Sequence, residues 1–127
     1  MKFRVIHVLF LALMIVSFTG CAKKVDPARP IEKIRKEVVT MSVAKLEVRA
    51  SAYAAAIRAQ KVEMEKIQQQ IKKMPMEKVF SDKSMTHHIA EIGRTAEALF
   101  ERYMIYVKAF QEKGGDVAKV QIEAVRS

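Results

Sequence analysis

The sequence predicts an all-α fold, a long antiparallel two-helix hairpin of coiled-coil character, and three observations carry the prediction. Breakers are scarce: 127 residues hold Gly 4 and Pro 3, and the stretch 31–74 contains neither. Half of the residues are apolar, which excludes intrinsic disorder. Apolar side chains recur at alternating spacings of four and three in two separate stretches, the signature of a helix with one buried seam.

The chain begins with a segment that the fold does not need. Lys2 and Arg4 form a basic start, and Val5 to Phe18 form an apolar run interrupted only by His7 and Ser17. As a helix that run reaches about 21 Å, short of the roughly 30 Å of a bilayer core, so it reads as an export signal and not as a membrane span. Thr19-Gly20 then precedes Cys21, the chain's single cysteine. Phe18-Thr19-Gly20-Cys21 resembles the lipobox of bacterial lipoproteins, with Phe18 standing where leucine is usual. The resemblance implies cleavage before Cys21, diacylglycerol on its sulfur and acylation of its new amino group, hence palmitate in a membrane facing the periplasm or the cell exterior. Ala22 stands where an inner-membrane lipoprotein carries aspartate, which favours the outer membrane. Two or more acyl chains suffice for stable anchoring.

Residues 21–30 follow as a lipidated tether, since Asp26-Pro27 and Arg29-Pro30 turn the residue before each proline away from helix. The whole chain carries 23 Lys+Arg against 14 Asp+Glu, and loss of Lys2 and Arg4 leaves 21 against 14, a net charge of +7. Lys23, Lys24, Arg29, Lys33, Arg35 and Lys36 crowd just beyond the anchor, so this cluster is expected at anionic headgroups or as a solvated, basic helix start. Nucleic acid is not an expected partner, because the chain is exported and no aromatic residue interleaves with these bases.

The first helix is expected over about 31–74, closed by Lys73-Met74-Pro75, with Pro30 suited to its first turn. Its seam runs through Leu46, Ala50, Tyr53, Ile57, Gln60, Met64, Ile67, Ile71 and Met74. Ile31, Ile34, Val38 and Met41 form a stripe out of phase with that seam, so residues 31–45 either extend past the hairpin or bend against the tail. A turn is expected at 75–84 and a second helix at about 85–113, ended by Gly114-Gly115, with its seam through Met85, Ile89, Ile92, Ala96, Leu99, Tyr103, Tyr106 and Phe110. Folding back over the turn makes paired positions sum to 159 or 160. That register sets Ile67 against Ile92 and Tyr53 against Tyr106, and places Ala50 opposite the bulky Phe110. In the tail, 114–127, Asp116 is placed to cap a short third helix, whereas Val120, Ile122 and Ala124 alternate as in a strand.

Two helices alone bury little, so the hairpin is expected to self-associate or to bind another envelope protein. Phe100, Met104 and Val107 form a second apolar strip for that contact, and Val43, Ala54, Ala55 and Ala59 give the other helix a smooth face. No cofactor and no catalytic constellation are legible: there is no Gly-rich phosphate loop, and carboxylates such as Glu63 sit in ordinary helix-surface pairs. Met74, Met76, Met85, His87 and His88 cluster near the turn, and thioether with imidazole suits Cu(I), although adjacent histidines on a helix diverge by about 100°. The expected function is therefore an anchored helical structural or interaction module. The alternatives are an accessory subunit of an envelope transport or secretion system, and a copper-binding lipoprotein.

Overall fold

The computed structural model describes residues 25–122, and these are all-helical: four α-helices and one 3-10 turn, with no strand among them. The helices are α1 (Ile31–Thr40), α2 (Val43–Lys72), α3 (Met76–Ser81) and α4 (Lys83–Glu112), followed by the 3-10 turn Val117–Lys119.

The expected single helix over 31–74 is broken at Met41-Ser42. Both residues adopt extended backbone angles, and the Ser42 hydroxyl accepts from the Lys45 amide at 3.3 Å, a cap that starts α2 afresh. The break resolves the phase conflict: α1 bends back, and Ile34 and Val38 enter the same core as the α2 seam. Lys113, at the far end of α4, locks this bend. Its ammonium donates to the carbonyls of Val38, Val39 and Met41 at 2.9, 3.0 and 2.5 Å, satisfying the orphan acceptors at the end of α1.

The segment expected as a plain turn, 75–84, contains α3. Pro75 precedes it, and Asp82 both ends it and caps α4, its carboxylate accepting from the Met85 amide at 3.0 Å. At the other end α4 closes with a Schellman motif. The Gly115 amide donates to the Phe110 carbonyl at 2.9 Å and the Gly114 amide to Gln111 at 3.0 Å, with Gly114 at φ +89°. A Cβ on Gly115 would lie 2.3 Å from the Phe110 ring, so the pair combines one glycine required for backbone angle with one required for closeness.

Helices α2 and α4 pack along their length, and every seam residue named above is buried or half-buried. Tyr53 and Tyr106 pack with ring centroids 5.3 Å apart and planes tilted by 34°, the pairing that the register demands. The core is uneven. Near this tyrosine pair α1, α2, α4 and the tail converge on Ile34, Leu46, Tyr53, Tyr106, Phe110 and Val120, whereas the α3 end offers only Ile67 and Ile92 as fully buried apolar residues. Much of the company that two helices lack thus comes from the same chain. The described part of the tail, to Ile122, holds a 3-10 turn capped by Asp116, whose carboxylate accepts from the Ala118 amide at 3.0 Å, and Val120 is then held by a 2.6 Å bond from the Tyr103 hydroxyl to its carbonyl, while Ala124 lies outside the described residues.

Candidate functional site

The segment leading out of the body toward Cys21 is fastened to the helices by polar contacts at the thick end. Asp26 makes an Asx turn to the Ala28 amide, and its carbonyl accepts from the Tyr53 hydroxyl at 3.3 Å. The Arg29 carbonyl accepts from Arg102 Nε at 2.9 Å, while Arg102 Nη1 donates to the Ala98 carbonyl at 2.8 Å. Arg102 is buried despite its charge, and these backbone acceptors make that burial tolerable.

Arg29 itself pairs with Glu37. Burial opposes its charge, but the hydrogen bond and the attraction of Glu37 outweigh this and hold the guanidinium above its ordinary value. The expected basic cluster is therefore divided. Arg29 is a structural clasp, Arg35 bonds Glu32 on the exposed side of α1, and Lys33 and Lys36 point to solvent. Cys21, Lys23 and Lys24 lie outside the described residues.

Tyr106 is fully buried beside this clasp, and its hydroxyl has no hydrogen-bond partner among the described residues. Burial raises its pKa above the usual 10.0, with a further push from Tyr53 against the pull of Arg29 and Arg49. The folded state keeps a proton that the unfolded chain releases. The stability that depends on it is complete below about pH 10 and is lost as the pH rises further. An alkaline titration followed by phenolate absorbance should show a late step, together with loss of helix, that is missing from the Tyr106→Phe variant. A titration curve that Tyr106→Phe leaves without change in its late part, with the helices intact, would contradict this placement.

The second apolar strip is only partly on the surface. Phe100 and Met104 are 49% and 46% exposed, but Val107 is 8% exposed and belongs to the core, because it lies one residue from the seam member Tyr106. Ala54 of the smooth face is likewise buried, while Val43, Ala55 and Ala59 stay exposed. Beside Met104 a groove of about 560 Å³ runs between α1 and α4, lined by Val38, Ile105 and Ala109 with Arg35 and Lys108 at its margins.

At the α3 end, Met74 and Met85 are half-buried in the seam, Met76 is exposed, and His87 Nε2 faces Glu91 Oε1 at 3.3 Å with His88 exposed beside it. The methionine pair thus occupies packing positions, whereas both histidines are exposed. The sequence reading missed Arg102 and Lys113 as organisers. In the sequence each is one base among many within the predicted second helix, and only their reach to carbonyls in distant segments distinguishes them.

Among the described residues no helix is long and apolar enough to cross a membrane. No known protein family, curated protein or solved structure matches the chain.

Proposed function

We propose that this chain is a lipid-anchored envelope protein whose helical body serves as a structural or protein-interaction module. The observation that carries the reading is Phe18-Thr19-Gly20-Cys21, with the chain's single cysteine directly behind a basic start and a short apolar run. The body supports it. Asp26 and Arg29 are bonded to α2 and α4, and the step from Cys21 to Val25 spans at most about 14 Å, so an anchor at Cys21 holds the thick end close to the lipid. Lys33, Arg35 and Lys36 then meet the headgroups from α1, with attraction of about 1 kcal/mol per base.

In this reading α2 and α4 form a helical hairpin that projects away from the anchor point, with α3 at its tip. The outer membrane is favoured by Ala22, and an envelope protein partner or a second copy is the expected client. The test is Cys21→Ser in cells fed labelled palmitate. The variant should lose all label and accumulate as the uncleaved precursor, and label retained on it would end the reading.

A further inference from the structure

The exposed side of α4 is a palindrome in chemical type. Gly93, Glu97, Phe100, Met104, Lys108 and Gln111 follow at spacings of 4, 3, 4, 4 and 3, which puts them on one stripe, and all six are exposed. Run against a second copy of itself in the opposite direction, with paired positions summing to 204 or 205, the stripe is complementary at every level. Phe100 meets the partner's Met104, Glu97 meets the partner's Lys108, and the small Gly93 meets the partner's Gln111. No side chain lies within 4 Å of where a Cβ on Gly93 would stand, so that level is open to close approach. On one flank Arg94 comes within a residue of the level of the partner's Glu112, their numbers summing to 206.

We propose that two copies of this chain associate through α4 in an antiparallel, two-fold symmetric contact centred between Phe100 and Met104. The charge pattern selects this occupant. An arbitrary apolar client needs no alternation of acid and base, whereas here each half of the stripe carries the charge that the other half lacks. Glu97 and Lys108 cannot satisfy one another within a chain, since eleven residues of helix separate them by about 16 Å. Lys108 lies at 4.0 Å from its own Glu112, with both side chains mostly exposed, a loose pair that is free to exchange partners.

The apolar centre fits the same arrangement. The Phe100 ring leans on Tyr103, with centroids 6.1 Å apart, and so is held ready on the surface. The groove between α1 and α4 opens beside Met104, where the partner's Phe100 arrives. A contact of this extent is of the weak, reversible class. On the anchored reading above, with each hairpin running from its anchor along the membrane surface, a two-fold axis along the membrane normal brings both anchors to the same side, and confinement to the surface raises the effective concentration.

The test is a charge exchange in the full chain, purified in a mild nonionic detergent and followed by sedimentation equilibrium, with circular dichroism as a check on folding. It is independent of lipid on Cys21, so its failure is separable from failure of the palmitate experiment. Glu97→Lys and Lys108→Glu should each raise the dimer dissociation constant roughly tenfold, because each opposes two like charges in place of two pairs. The double variant restores both pairs and should return to within about threefold of the parent chain. Phe100→Ser should also weaken the dimer while leaving the helix content unchanged. A double variant as weak as either single one, or a parent chain monomeric at every concentration, would overturn the proposal.

Discussion

Phe110→Ala is expected to lower the unfolding free energy by about 3–5 kcal/mol, the range for removing a buried aromatic ring from a core that cannot close over the space. Phe110 is 1% exposed and sits where the packed elements meet: α4 ends there, α1 and α2 pack into the same cluster, and Gly115 lies against the ring. Gly115 packs on that ring, so the substitution removes core packing and the surface on which the Schellman turn rests, while the turn's own backbone bonds remain. Phe80 supplies the contrast. It is 81% exposed on α3, and Phe80→Ala should change the melting temperature little. Thermal unfolding followed by circular dichroism distinguishes the two, and equal effects would show that the core is not concentrated where α1 meets α4.

The second large effect is a gain. With Cys21 replaced by serine, Ile67→Cys together with Ile92→Cys should form a disulfide within one molecule and stabilise the fold by about 3 kcal/mol, by closing a loop of roughly 25 residues in the unfolded chain. Both isoleucines are 5% exposed, and their numbers sum to 159, as do those of the packed Tyr53 and Tyr106. A faster-migrating monomer on a non-reducing gel, with a raised melting temperature, is the expected result. Disulfide-linked dimers alone would mean that α2 of one copy pairs with α4 of another. The α4 stripe does not use these positions, so the two contacts are tested separately.

What the residue pattern made legible was the seam. Leu46 to Met74 and Met85 to Phe110 repeat at intervals that only a helix brings to one face, and all of these residues are buried or half-buried in the structure. The Gly114-Gly115 stop was equally readable, because a positive φ and a close approach are properties of glycine itself. The break at Ser42 was half-legible. The stripe of Ile34 and Val38 was out of phase with the seam, but periodicity alone does not distinguish an overhanging helix from one folded back.

Local chemistry therefore determined that the chain is helical, which residues of α2 and α4 turn inward, and where α4 ends, since each follows from a spacing or a backbone preference carried by neighbouring residues; the break at Ser42 and the helix α3 within 75–84 did not follow from it. The same local information in Phe18 to Cys21 carries the reading of the anchor. Tertiary structure alone decided the rest: that α1 folds into the core, that Arg29 clasps Glu37, that Arg102 reaches the Arg29 carbonyl and Lys113 the end of α1, and that Val107 is buried while Phe100 and Met104 are not. The reason is physical. A spacing of three or four places a side chain on a face, but the fate of a long cationic side chain, or of a residue beside the seam, depends on which distant backbone comes within about 3 Å of it. That distance is set by the packing of the whole chain.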